Sequence, residues 1–374
     1  MRRAAIALAA VALAAGGCGG GDGDDGGDPP GHGELAFFRT AETDYELARA
    51  RDDGRGPRVL AGASIDGSVV PHIFARPAWS PDGRRIAFAG VASGDPGGFS
   101  ADVYVMDAGG GHQRRLTRTR DAVAPDWSPD GRTILFTRFH RDDTPTGSLW
   151  SMRADGSGLR RLTAPRSGQN DRGGTFARDG SLIAFTRMEC PGLRCRSEIR
   201  TVRPDGTGER RFIDRASDPA FSPDGRRIAY ASERDRNGLL SYGEREHVAG
   251  ELYVAAADGT RPRRLTRTRD LNEASPAWSP DGERLAFQRG VVTGNAEAMS
   301  IHQVNPDGSC AAGPGRQGRS RPGTPARRGG RPAAAAPARS TAELCLFCRE
   351  LTLYRYFGQT YIDLLVWILE RARA

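Results

Sequence analysis

Trp79-Ser80-Pro81-Asp82-Gly83-Arg84-Arg85-Ile86-Ala87-Phe88 recurs as Trp127-Ser128-Pro129-Asp130-Gly131-Arg132-Thr133-Ile134-Leu135-Phe136. Further copies begin at Phe176, Phe221 and Trp278, so successive aromatics lie 48, 49, 45 and 57 residues apart. Gly33-Glu34-Leu35-Ala36-Phe37 reads as the second half of a sixth copy, 46 residues before Trp79. A second motif alternates with the first: Asp102-Val103-Tyr104-Val105-Met106-Asp107, a Gly-bearing turn, then Arg114-Arg115-Leu116-Thr117. It returns over 149–163, 198–212 and 251–266. Self-similarity at this period marks a repeat architecture.

Each unit reads as four short antiparallel strands. In Ser-Pro-Asp-Gly the proline presets one corner of a tight turn, and the glycine takes the left-handed position that closes it. Ile86-Ala87-Phe88 alternates as a strand does, its large residues on one face and the small one on the other. A lone four-stranded sheet leaves its faces bare, so the units must stack. Stacked radially, they make an all-β protein: a six-bladed β-propeller of four-stranded antiparallel blades, with the first or last blade incomplete. Trp79, Trp127 and Trp278 would wedge between neighbouring blades.

Repeats of this form (Trp-Ser-Pro-Asp-Gly, then a Tyr-Val-Met-Asp strand, then Arg-Arg-Leu-Thr) resemble the TolB-type, WD-like propeller repeats over roughly 33–309. The resemblance implies the propeller fold and partners in the cell envelope. It does not fix a function, because propellers serve as scaffolds and as enzymes.

Arg2 and Arg3 precede an apolar run, Ala4 to Ala15, which has the length of a signal-peptide core and is too short for a permanent membrane helix. Ala15-Gly16-Gly17-Cys18 resembles the lipobox of bacterial lipoproteins, with Ala15 where leucine is usual, and ordinary secretory cleavage nearby is the alternative. The chain therefore divides into a signal peptide (1–17), a lipidated Cys18 with a Gly/Asp linker (18–33), the propeller (34–309), an Arg/Gly/Pro/Ala-rich segment (310–342) and a tail (343–374). The expected location is extracytoplasmic, membrane-anchored through the N-terminal lipid.

The composition bears on partners. The net charge is +8, and all 54 basic residues are Arg. Residues 310–374 hold 11 Arg and 4 acids, which leaves 43 Arg against 42 acids in the first 309 residues. No basic field covers the body, so nucleic acid is excluded as its partner.

Strand order separates two rims. Ser-Pro-Asp-Gly and Asp-Gly turns share one. The loops from second to third strands, and the junctions between blades, share the other, and there the sequence is irregular. Rigid scaffolds usually bind through such loops. The candidate contacts are Arg120, Asp121, Arg269 and Asp270 at the junctions, and Arg234, Asp235, Arg236 and Tyr242 in the loop 232–250.

There is no Gly-x-Ser-x-Gly elbow, His-Glu-x-x-His or phosphate-binding glycine loop. The six His are scattered, and the turn aspartates recur in every unit as turn chemistry would have them. No catalytic residue, metal or cofactor is assigned. Cys190 and Cys195 flank Pro-Gly in one loop and suit a disulfide in an exported protein.

After Ser309 the repeat stops, although a closing strand for the first blade is still owed. Two readings of the remainder compete. One is a basic linker with a C-terminal amphipathic helix that docks on lipid or a partner; the other is a reading-frame shift near Ser309. The leading function is a monomeric, non-catalytic scaffold binding an envelope or secreted protein. The alternatives are a propeller lyase or hydrolase acting on glycans or peptides, and a ligand-sensing ectodomain.

Overall fold

The computed structural model describes residues 11–13, 34–40, 45–51, 56–62, 69–71, 76–92, 101–140, 146–189, 195–235, 239–242, 245–248, 250–268, 271–293, 296–309 and 350–357. All regular elements among them are strands, and they follow the sequence repeats.

The first blade contains β1 (Val11–Leu13), β2 (Glu34–Thr40), β3 (Tyr45–Arg51) and β4 (Arg58–Gly62). The second has a split inner strand, β5 (Val69–Pro71) and β6 (Ala78–Trp79), both pairing with β7 (Arg85–Ala92), then β8 (Asp102–Asp107) and β9 (Arg114–Arg115). The third comprises β10 (Ala122–Trp127), β11 (Thr133–His140), β12 (Thr146–Arg153) and β13 (Arg160–Arg161). The fourth comprises β14 (Gln169–Phe176), β15 (Ile183–Glu189), β16 (Arg196–Val202) and β17 (Arg210–Asp214), joined to the third by one parallel pair, Gly147 with Asn170.

The fifth blade is built from β18 (Ala216–Phe221), β19 (Arg227–Ser232), β22 (Glu251–Ala256) and β23 (Arg263–Arg264), with a separate hairpin, β20 (Leu239–Tyr242) and β21 (Arg245–Val248), inserted after β19. The sixth is β24 (Leu271–Trp278), β25 (Leu285–Thr293), β26 (Ala296–Val304) and β27 (Glu350–Phe357).

The alternation expected of the second strands explains how blades dock. Phe37, Phe88, Phe136, Phe185, Tyr230 and Phe287 are all buried. Ile86 and Phe88 pack on the first blade with Ala36, Leu47 and Leu60, whereas Ala87, on the other face, meets Trp127 and Phe136 of the third. The small residue leaves room for the next blade's aromatic, and each buried aromatic contributes roughly 2–3 kcal/mol. The same contact closes the seam: Leu35 and Phe37 of the first blade pack on Ala286 and Ile301 of the sixth.

The described strands bear on three expectations. The loop 232–250, read as irregular, contains the hairpin β20–β21, in which Tyr242 pairs with Arg245 across the two residues Gly243-Glu244. Residues 350–357 are extended, not helical, pairing antiparallel with β26; Thr352, Tyr354, Tyr356 and Phe357 favour a pleated strand, and β26 offers an edge. The inner place of the first blade is taken by Val11–Leu13, from the segment read as a signal peptide, with Leu13 opposite Leu35. The Gly/Asp linker and residues 310–342 lie outside the described residues.

Candidate functional site

The two rims differ in chemistry as well as in sequence. At the turn rim, Ser80 Oγ donates to Asp82 Oδ1 at 2.6 Å, and the same oxygen accepts Arg84 N–H at 3.1 Å. Ser128–Asp130 and Ser222–Asp224 repeat the arrangement. The serine hydroxyl holds the carboxyls of Asp82, Asp130 and Asp224 below the usual carboxylate range. These aspartates close their own turns, and the rim repeats itself from blade to blade.

At the opposite rim the start of an inner strand is clamped to the second strand by an arginine fork. Arg138 Nη2 meets Asp121 Oδ2 at 2.9 Å, Arg187 Nε meets Asp171 Oδ1 at 2.6 Å, and Arg289 Nη2 meets Glu273 Oε1 at 2.6 Å. A second clamp ties the third strand to the junction. Asp102 Oδ1 accepts Thr117 Oγ1 at 2.6 Å and Arg120 N–H at 3.2 Å, which fixes Arg120 in a left-handed conformation (φ 58°) with its side chain exposed. Glu251 does the same work in the fifth blade through Thr266, Thr268 and Arg264.

The candidate contacts divide accordingly. Arg120 and Arg234 are exposed on this rim. Asp121 is engaged by Arg138, and Asp235 accepts the Tyr253 hydroxyl and pairs with Arg264 at 3.1 Å, so both anchor the scaffold. Tyr242 belongs to the hairpin by its backbone. Arg236, Arg269, Asp270, Cys18 and Cys190 lie outside the described residues; Cys195 is disulfide-bonded. Among the described residues no three His, Cys, Asp or Glu side chains are grouped to hold a metal ion.

The axis of the ring holds a constellation that the repeat reading missed. Three residues before each inner-strand aromatic stand Arg76, Ala124, Gly173, Asp218 and Ser275. The last four have positive φ, between 52° and 59°, where each inner strand bulges. Arg76 is the exception in kind. Its guanidinium donates to Pro219 O at 3.2 Å and Pro276 O at 3.3 Å, on the inner strands of the fifth and sixth blades. Burial raises the carboxyl of Asp126 on the third blade, against the pull of the Arg76 charge. Lining up the repeats and asking which one carries a long cation among small residues would have found Arg76.

A ring of such blades, cross-tied at its axis, is a β-propeller of the TolB type. The family model described as the TolB beta propeller domain matches residues 62–243. A Tol-Pal system protein TolB of Bordetella avium is 31% identical over 157 residues, 39% of this chain and 34% of its own length. The uncharacterised peptidase YuxL of Bacillus subtilis is 33% identical over 85 residues, 23% of this chain and 11% of its own. The chain thus spans about a third or less of the curated relatives it matches. The crystal structure of TolB from Acinetobacter baumannii superposes with a TM-score of 0.53 at 22% identity, covering 74% of this chain and 61% of that one, a likeness of fold.

Proposed function

We propose that this chain is a non-catalytic extracytoplasmic scaffold, held to the membrane by lipid on Cys18, that binds an envelope or secreted protein as a monomer through the loop-bearing rim of its propeller. One contrast carries the reading. The turn rim repeats itself and its aspartates are engaged internally, whereas the opposite rim carries unlike insertions, the hairpin β20–β21 and the exposed Arg120 and Arg234. The likeness to Tol-Pal system proteins supports a partner in the envelope.

The test is recovery of partners from envelope extracts. The full chain is compared with a variant whose residues 239–248 are replaced by Gly-Ser, and with Arg120→Ala/Arg234→Ala. The variants should unfold at the wild-type temperature and lose the proteins that the full chain retains. Undiminished recovery with both would remove this rim as the binding surface.

A further inference from the structure

The near-neutral charge of the body hides a difference between its rims. On the turn rim, exposed arginines alternate with exposed aspartates: Arg84 with Asp82, Arg132 with Asp130 and Arg226 with Asp224. Each of these carboxylates accepts the backbone N–H of its arginine, at 3.0–3.1 Å, so charge cancels locally.

On the loop rim the acids are withdrawn. Asp102, Asp171, Glu251 and Glu273 are at most 1% exposed, and Arg115, Arg187, Arg264 and Arg289 pair with them. The half-buried Glu233 lies within reach of the Arg172 and Arg215 charges. Of the acids nearer solvent, Asp214 has Arg211 at 3.9 Å, Glu189 stands opposite Arg196 in the strand register, and Asp235 is held by Arg264 and Tyr253. What this leaves facing water is arginine. Arg118, Arg120, Arg166, Arg234 and Arg267 are exposed. All but Arg234 stand on the junctions that lead into the inner strands β10, β14 and β24, at the mouth of the axis. Arg118, Arg166 and Arg267 make no ion pair among the described residues.

The buried acids also hold these arginines in place. Thr117 Oγ1 and Thr119 N–H both donate to Asp102 Oδ1, at 2.6 and 2.9 Å, and Arg118 lies between them. Thr266 Oγ1 and Thr268 N–H donate to the two oxygens of Glu251, each at 2.8 Å, with Arg267 between them. Arg166 N–H donates to Gln169 Oε1 at 3.1 Å, and Gln169 N–H donates back to Arg166 O at 3.0 Å. Folding has already ordered these backbones, so a ligand that meets them has little left to immobilise.

We propose that the loop rim takes an acidic polypeptide segment, rich in Asp or Glu, from its partner, seated on Arg118, Arg166 and Arg267 at the mouth of the axis. The proposal rests on the loop rim being the binding surface. Charge complementarity selects the class of partner. An anionic lipid surface fits this rim less well. The hairpin β20–β21 forms a separate sheet there and interrupts a flat contact. The one exposed large apolar side chain among the described residues, Leu159, lies in the turn between β12 and β13 on the other rim, so the loop rim offers a bilayer nothing apolar to insert.

The experiment is fluorescence anisotropy of labelled poly-L-glutamate titrated with the full chain carrying Cys18→Ser, run beside flotation with phosphatidylglycerol vesicles. Arg118→Gln/Arg166→Gln/Arg267→Gln removes three charges from the loop rim. Arg84→Gln/Arg132→Gln/Arg226→Gln removes three from the turn rim, which matches the net charge. The first triple should weaken poly-glutamate binding about tenfold, and the second by less than about twofold. Binding to the parent chain should fall as salt rises. Glutamine leaves the backbone ties in place, so the three chains should melt alike. Should a triple variant melt early, Arg118→Gln and Arg267→Gln singly carry the test, each weakening binding about twofold. Equal weakening by both triples, no binding of poly-glutamate, or binding to the vesicles in preference to the peptide overturns the proposal. Envelope partners retained by the loop-rim triple but lost on replacing residues 239–248 would overturn the acidic partner and leave the rim as the binding surface.

Discussion

The guanidinium of Arg76 lies 3.3 Å from the carbonyl oxygen of Pro276, 200 residues further along the chain. A second contact, to Pro219 at 3.2 Å, spans 143 residues. One side chain of the second blade thereby ties the inner strands of the fifth and sixth, bypassing the seam where the first blade meets the last. Propellers are vulnerable at that seam, because it alone lacks a continuous chain. An axial tie limits the opening of the ring in a way that packing between neighbours does not.

Arg76→Met keeps the aliphatic stem and removes both donors. Hydrogen bonds from a charged group contribute about 1.5–3 kcal/mol, so the unfolding free energy from urea denaturation should fall by an amount in that range, read as a lower midpoint at unchanged slope. An unchanged midpoint would show that the tie is incidental to closure.

The Asp171–Arg187 pair is the tightest fork on the loop rim. Asp171 is fully buried and accepts Arg187 Nε at 2.6 Å and Nη2 at 2.7 Å. Asp171→Ala leaves the guanidinium with Glu209 alone and should cost roughly 3 kcal/mol, at the low end for a broken buried pair. Glu209→Ala removes a carboxylate that is 26% exposed and should cost about 1 kcal/mol or less. Guanidinium denaturation of the two variants gives the ordering.

His302 fills the place that Tyr104, Trp150 and Tyr253 take in other blades, its ring tilted 33° against Phe287 with ring centres 5.7 Å apart. Burial lowers it to about 4, with the Arg289 charge adding to the effect. The unfolded chain therefore binds a proton that the native state refuses. Stability falls as pH drops from about 6.5 through about 4, by roughly 3 kcal/mol at the lower end. His302→Phe abolishes this component, so its stability relative to wild type should rise steadily from pH 7 to pH 4. A pH-independent difference would contradict the buried neutral imidazole.

Gly110 shows how turns register one blade on the next. Its φ is +93°, and a Cβ there would lie 2.8 Å from Leu60 O on the first blade. Gly156 and Gly206 approach Leu116 and Leu162 in the same manner. Gly110→Ala should cost roughly 1–3 kcal/mol. Gly109→Ala, which meets nothing within 4 Å, should stay within about 0.5 kcal/mol. Melting curves of the pair separate a packing constraint from a general intolerance of side chains in the turn.

The repeat that opens at Trp79 was enough to establish strands, turns and radial stacking, because each of these follows from residues a few positions apart. Ser80, Asp82 and Gly83 make their turn locally, and Ile86, Ala87 and Phe88 assign the two faces of a blade by alternation alone. Strand order placed Arg120, Asp121 and Asp235 together on one rim, but it could not separate the exposed Arg120 from Asp121 and Asp235, whose carboxylates are engaged by Arg138, Tyr253 and Arg264. Nor could it find Arg76 at the axis. Those relationships exist only after the ring has brought distant strands side by side. The free energy of a cross-ring contact depends on closing loops of 143 or 200 residues, and no local period in the chain records it.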